Sequence, residues 1–503
     1  LNTPWKFQHS YATLPSRFYS ALNPVPVKKP RLTAFNEPLA DELGLGRGPL
    51  ADDELARIFS GNELTEGMHP LAQAYAGHQF GHFVILGDGR ALLLGEVLDR
   101  QGCRFDVQLK GSGQTPFSRR GDGRAALGPM LREYLVSNAM VALGIPTTRS
   151  LAVVATGEMV YRPHPLPGAI LTRVAQSHVR VGTFEVLLAH EDVEGLQLLA
   201  DYVIQRHYPW TRETKDPLLA LFAEVTRRQA ELVARWMEVG FIHGVMNTDN
   251  VSIAGETIDY GPCAFLDEYH PDTVFSSIDQ HGRYRYGNQP GIAQWNLARF
   301  AETLLPLMTS RGTSLTQAQS SLQEILSEFW VHFEAAWLSG MGAKLGLGIA
   351  TDEDQRTTRA LVDRWLDLMA RNRADFTNSH RGLYDYAVAL ATGEQDPVSR
   401  IRTQDQEFFR REETARFLTD WSRTLHDQGR ETQAAAEMGT RNPAVIPRNH
   451  RVEAALQQAE STGDLSLFQE LQRVLADPYS VTLPEYQNPP QEHERVRETF
   501  CGT

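Results

Sequence analysis

Cysteine is scarce: Cys103, Cys263 and Cys501 are the only three in 503 residues. An odd, small number in so long a chain excludes the disulfide-stapled framework of a small secreted protein. With no CxxC pair among them, a zinc site is not expected. Long hydrophobic runs are also missing. Stretches such as 91–94 fall far short of the roughly 18 apolar residues that cross a bilayer, so no membrane insertion is expected. Positive charge is in deficit, with 49 Lys and Arg against 62 Asp and Glu and a formal charge of −13. That balance argues against a general nucleic-acid binder or a protein held on anionic lipid. No basic segment leads into an apolar core near the first residues, so no secretory signal is expected and a cytoplasmic setting is the default. Internal repeats and low-complexity tracts are absent as well.

What remains is an ordinary globular composition, 42% hydrophobic and 22% charged, in a chain long enough for two packed lobes. Residues 1–60 are rich in Pro and turn formers and read as an extension over a core. Residues 61–175 read as a small β-rich lobe. A turn at 87–90 precedes a strand over 91–97, and a second turn at 99–102 leads into a strand over 104–110. Phe105, Val107 and Leu109 alternate there, and the strand ends at Lys110. A helix is expected over 130–143, with strands near 151–154 and 169–174. From about Glu185 the pattern turns helical. Leu218, Phe222, Val225, Leu232 and Trp236 share one helical face, as do Leu322, Leu326, Phe329, Phe333 and Trp337, and Leu361, Trp365 and Leu368. These stripes read as core. The fold class is α+β, with a helical lobe over 176–430 and a partly helical extension over 431–503 that ends in a Pro-rich tail.

The chemistry concentrates in HGVMNTDNV at 243–251 and Asp259-Tyr260-Gly261, a polar loop between short apolar runs behind a long amphipathic helix. This is the layout of a kinase catalytic loop followed by a metal-binding loop, where an Asn carbonyl and an Asp carboxylate supply hard oxygen ligands to Mg²⁺ on phosphates. Asn250 and Asp259 have those ligand types. In the H-R-D-x-x-x-x-N pattern the Asn stands seven after His, and here His243 is followed at that distance by Asn250. Two after His stands Val245, which cannot accept a proton. The nearest replacement is Asp249, either a proton acceptor or an Asp that caps the loop. Lys110 at a strand end and Glu133 on the next helix suit a phosphate-directed Lys held by a carboxylate, or else a plain surface ion pair. Gly87 and Gly89 allow close backbone approach to phosphate, but Leu92 breaks GxGxxG, and Asp88 would repel phosphate if it pointed inward. Arg90, Arg124, Arg173 and Arg180, with Asp122 and Gly123, add unusual charge around the small lobe, and guanidinium forks suit phosphate.

With these residues assembled, the sequence resembles the selenoprotein O family of kinase-fold protein adenylyltransferases. The resemblance runs through nearly the whole chain. Its motifs are YAGHQF (75–80), LGDGRA (86–91), QLKGSGQT (108–115), TRVAQSHVRVGTF (172–184), HGVMNTDNV (243–251), IDYGPCAF (258–265), NQPGIAQWNLA (288–298) and NPAVIPRNH (442–450). The resemblance implies a protein-kinase-like bilobal fold and an inverted ATP that presents its α-phosphate, so that AMP passes to Ser, Thr or Tyr hydroxyls of protein substrates and pyrophosphate leaves. It implies nucleotide contacts from Gly87, Gly89, Arg90, Lys110, Asp122, Gly123, Arg173, Arg180 and Asp259. Asn250 and Asp259 would hold Mg²⁺ or Mn²⁺, Asp249 would accept the proton, and Glu133 would orient Lys110. It also matches Cys501 to the tail position that holds selenocysteine in many eukaryotic relatives and suggests a Cys263–Cys501 disulfide. Phosphoryl transfer through Asp249, UMP transfer and a non-catalytic nucleotide-binding scaffold are the competing expectations.

Overall fold

Strand pairing builds the first third of the molecule. The computed structural model describes residues 5–401 and 406–500. In chain order the strands are β1 (Tyr19–Ala21), β2 (Arg31–Phe35), β3 (Leu71–Gln73), the hairpin β4 (Ala76–Gln79) and β5 (His82–Ile85), β6 (Ala91–Leu98), β7 (Arg104–Lys110), β8 (Ala125–Ala126), β9 (Arg149–Tyr161) and β10 (Pro165–Ala175). All except β4 and β5 join one sheet in the order β1-β3-β6-β7-β10-β9-β2, with β8 on β10. Every pairing in it is antiparallel.

The β6–β7 turn is an Asx turn: Asp99 Oδ1 accepts from the backbone of Gln101 at 2.9 Å and Cys103 at 2.7 Å. Strands β9 and β10 run well beyond the expected 151–154 and 169–174, because cross-strand pairing carries them past the apolar segment to the exposed Met159 and Tyr161. The first sixty residues, expected to lie over the core, enter it. β1 and β2 are sheet edges, and helices α1 (Glu37–Glu42) and α2 (Asp52–Phe59) bury Leu39, Leu55, Ile58 and Phe59 against one sheet face.

Helix α3 (Leu127–Ala142) covers the other face and starts three residues before the expected Met130, because it leaves β8 directly. The helical part follows with α4 (Val181–Ala189), α5 (Val193–His207) and α6 (Pro217–Glu238), the ribbon β11 (Phe241–Ile242) and β12 (Ala264–Phe265), then α7 (Gln289–Ser310), α8 (Leu315–Lys344), α9 (Asp352–Asn372) and α10 (Phe376–Ala391). Asp216 caps α6 by accepting from Leu218 and Leu219 amides, a contact worth about 1 kcal/mol. The five predicted α6 core residues are all buried, as are Leu361, Trp365 and Leu368 on α9; Trp337 on α8 is only partly so. Among the described residues no helix is long and apolar enough to cross a membrane.

After α11 (Gln406–Arg410), α12 (Glu412–Asp427) and α13 (Glu431–Arg441), the chain returns to the sheet. Helices α14 (Asn449–Thr462) and α15 (Ser466–Leu475) pack on α3. Glu460 accepts from the Gly128 amide at 2.8 Å, and Glu453 pairs with Arg132. The 442–450 motif is the anchor. Arg448 is buried between Asp267 and Asp375, at 2.8 Å from each, and the Asn449 amide meets the Phe265 backbone N–H at 3.2 Å and C=O at 3.0 Å, as a third strand would.

Candidate active site

Register places the first charges. Gln108 and Lys110 are two apart on β7 and so share a sheet face, and β10 sets Arg173 opposite Gln108. Arg173 Nη2 donates to Gln108 Oε1 at 2.6 Å, while Lys110 Nζ lies 2.6 Å from Glu133 Oε2. Glu133 is supplied by α3 and is 1% exposed; its other oxygen is 3.3 Å from Arg173 Nη1. The sequence alternatives for Lys110 and Glu133 are thereby resolved in favour of a buried pair.

Asp259 enters from the far side. Its φ of 61° is left-handed, a region that Asp tolerates better than most residues. Its carboxylate meets Lys110 at 2.6 Å, Arg173 at 2.5 Å and Arg180 at 3.3 Å. Burial alone would push this carboxyl up, but Arg173, Lys110 and Arg180 outweigh it and hold the group well below the usual range. The side chain retains 21% exposure, toward the cleft.

The 243–250 loop is held by groups that sequence reasoning did not single out. Gln289 accepts from the His243 backbone N–H at 3.0 Å, and Asn296 donates to Met246 O at 3.0 Å, which accounts for two polar residues of the 288–298 motif. His243 Nε2 lies 2.9 Å from Ile258 O and so ties the two loops together. Their signal was polar residues on a face that the α7 pattern buries. Asn250 donates its amide N–H to Val245 O at 2.9 Å, leaving Oδ1 as its acceptor. Asp249 is buried, and burial pushes its carboxyl up to about 6 against the pull of Arg180. Arg180 donates to Asp249 O at 3.0 Å and stacks on Tyr75, 4.5 Å from the ring centre.

The turn 87–90 closes the site from above. Asp88 is buried at the cleft wall: its carboxylate accepts from the Gln73 backbone at 3.1 Å and Gln108 Nε2 at 3.2 Å, and burial raises it to about 6. Gly87 needs its missing side chain for a neighbour, since a Cβ there would stand 2.4 Å from the Phe117 ring. Gly123 has φ 68°, and its Cβ would stand 2.1 Å from the Gly113 backbone. Asp122 is exposed and paired with Arg162 at 2.9 Å, another residue the sequence reading passed over.

Gly87, Gly89, Arg90, Lys110, Asp122, Gly123, Arg173, Arg180, Asp249, Asn250 and Asp259 thus line one cleft of about 480 Å³, with Val245 among them and Glu133 behind Lys110. Among the described residues no group of three or more His, Cys, Asp and Glu is placed to hold a metal ion. A hard cation here would take Asp259 and Asn250 oxygens and complete its shell from phosphate and water. Cys263 is buried outside this lining, its thiol pushed up to about 12 by burial; Cys501 lies outside the described residues. The tail reaches the same loop two residues earlier, where Thr499 Oγ1 donates to Pro262 O at 2.6 Å.

Comparison with known proteins identifies the family. Residues 3–476 match the family model described as protein adenylyltransferase SelO. The chain is 53% identical over 502 residues to the protein nucleotidyltransferase YdiU of Nitrosococcus oceani, covering 99% of this chain and 97% of that one. The corresponding protein of Brevibacillus brevis is 52% identical over 502 residues, at 99% and 98% coverage. That of Rhizobium etli is 54% identical over 501 residues, at 99% and 97% coverage. The chain therefore belongs to the protein adenylyltransferase SelO family.

Proposed function

We propose that this chain is a protein adenylyltransferase that moves AMP from ATP to Ser, Thr or Tyr hydroxyls of protein substrates. The observation that carries the reading is the cleft itself. It joins the Lys110–Glu133 pair, Asp259, Asn250 and Asp249, while Val245 stands where a phosphotransferase needs its carboxylate. In this reading the two lobes are kinase-like and ATP lies inverted, with the α-phosphate toward Asp249. Lys110, Arg173 and Arg180 bind and orient phosphate oxygens, Glu133 keeps Lys110 aimed, and Gly87, Gly89, Arg90, Asp122 and Gly123 frame the nucleotide. Mg²⁺ or Mn²⁺ on Asn250 and Asp259 would neutralise phosphate charge. The acceptor hydroxyl oxygen bonds to the α-phosphorus, the bond from that phosphorus to the bridging oxygen breaks, pyrophosphate leaves, and the hydroxyl proton passes to Asp249.

ATP labelled at the α- or γ-phosphate tests this directly. Stable α-label and no γ-label in protein is the expected result. γ-Label would mean phosphorylation through Asp249, and neither label a nucleotide-binding scaffold. UTP labelled at the α-phosphate measures UMP transfer alongside.

The tail contact of Thr499 with Pro262 supports a second element of the reading, a Cys263–Cys501 disulfide formed by exchange with a disulfide oxidant such as oxidised glutathione. The bond would pin the tail over the loop that follows Asp259. Oxidation is expected to lower activity in wild type and not in Cys501→Ser. Equal activity of both proteins under both conditions would remove the switch.

A further inference from the structure

Asp249 is surrounded by a contact that the reaction does not obviously require. Its Oδ1 is buried and accepts no hydrogen bond. What covers it is β4: a Cβ on Gly77 would stand 2.1 Å from that oxygen. Helix α4 closes on β4 and on the loop backbone, since a Cβ on Gly182 would stand 1.9 Å from Ala76 O and 3.4 Å from Asp249 Cα. Two positions without side chains therefore let a strand, a helix and the loop meet at Asp249.

A single side chain ties these three elements. Glu185, on α4 and 3% exposed, accepts from the Thr248 hydroxyl through Oε2 at 2.6 Å. Its Oε1 lies 2.6 Å from His78 Nδ1. The His78 backbone N–H donates to Thr248 Oγ1 at 2.7 Å and closes the triangle. Thr248 immediately precedes Asp249, and His78 immediately follows Gly77. We propose that Glu185 is a positioning residue: by bridging Thr248 and His78 it holds the loop against β4 and keeps the Asp249 carboxylate where the acceptor proton must go. The inference rests on Asp249 being that acceptor.

Burial pushes Glu185 up to about 7 despite the Thr248 hydrogen bond, so the link rests on its hydrogen bonds to Thr248 and His78 rather than on a fixed charge. Lys110, Arg173 and Asp259 hold one another by separate contacts, while Arg180 and Asn250 touch or share the Thr248–Asn250 turn. Loss of Glu185 should therefore lower kcat far more than it weakens nucleotide binding.

The test compares Glu185→Ala, Glu185→Gln and Thr248→Val in the full-length protein, with Asp249→Asn alongside. Initial rates of α-label transfer give kcat and KM for ATP, and melting temperature monitors folding. Glu185→Ala and Thr248→Val are expected to lower kcat roughly 10–100-fold, the scale of a misplaced reacting group, with KM for ATP within about twofold of wild type. Glu185→Gln, which can still accept from Thr248, should return to within about threefold of wild-type kcat. Wild-type kcat in folded Glu185→Ala and Thr248→Val, beside an inactive Asp249→Asn, overturns the positioning role and leaves Asp249 as the acceptor. Parallel loss of kcat, ATP affinity and melting temperature in Thr248→Val also overturns it, in favour of general packing. If Asp249→Asn is itself fully active, the acceptor assignment fails first.

Discussion

Asp249→Asn is expected to bind nucleotide within about threefold of wild type and to lower AMP transfer roughly 10²–10⁴-fold, the range that a positioned general base contributes. Asp249 lines the cleft and makes no ion pair with Lys110 or Arg173, two of the three groups assigned to phosphate; the third, Arg180, donates to its backbone O. Its pH dependence follows from its surroundings. Burial raises the Asp249 carboxyl to about 6, only partly opposed by Arg180. The accepting form is ionised, so kcat/KM, which reports the free enzyme, should be flat above about pH 6 and fall about tenfold per unit below it. An ordinary Asp would place that limb near 4. A wild-type profile still flat at pH 5, or an Asn variant with undiminished α-label transfer, would remove Asp249 from the proton-accepting role.

Asp259→Ala should act on a different quantity. In the free protein this carboxylate is the shared partner of Lys110, Arg173 and Arg180. Truncating one member of a buried ion cluster costs about 3–5 kcal/mol, and with 21% exposure here a loss of about 2 kcal/mol is expected, read in a chain of this length as a melting temperature lower by about 2 °C. Nucleotide affinity should lose its dependence on divalent cation, so that titrations with Mg²⁺ and with a chelator converge, because the three cations remain to attract phosphate while the hard ligand is gone. Transfer should fall by about 10³-fold or more. Cation-stimulated binding in Asp259→Ala equal to that of wild type would place the metal elsewhere.

Much of the site was readable as residue types in order. Lys110 at the end of an alternating strand, Glu133 on the following helix, and Asn250 seven after His243 depend on local periodicity and spacing, which the chain carries without its fold. Val245 was equally plain, because a valine cannot take a proton in any environment. What spacing could not supply was direction. Spacing left open whether Asp88 pointed inward, where it would repel phosphate; the β3–β6–β7 register buries it by offering the Gln73 amide and the Gln108 side chain. Gly87 read as a place for phosphate to approach, and the fold uses its missing side chain to seat Phe117. The roles of Gln289, Asn296 and Glu185 were not readable because their partners are 46, 50 and 63 residues away.

The amino-acid sequence by itself determined the class of elements, the amphipathic core stripes of α6 and α9, the family motifs and the missing phosphotransfer carboxylate. Each of these depends on neighbours within a few residues, where periodicity and side-chain chemistry act directly. It took the tertiary structure to show that residues 19–21 and 31–35 belong to the sheet, that α14 and α15 brace the helix carrying Glu133, and that Asp259 is met by three cations. Those outcomes need segments far apart in the chain to be buried together. Burial then sets the charges, since in a low-dielectric interior an Asp beside Lys110, Arg173 and Arg180 is held ionised, while Asp249, with Arg180 as its one lowering cation, is raised toward neutrality.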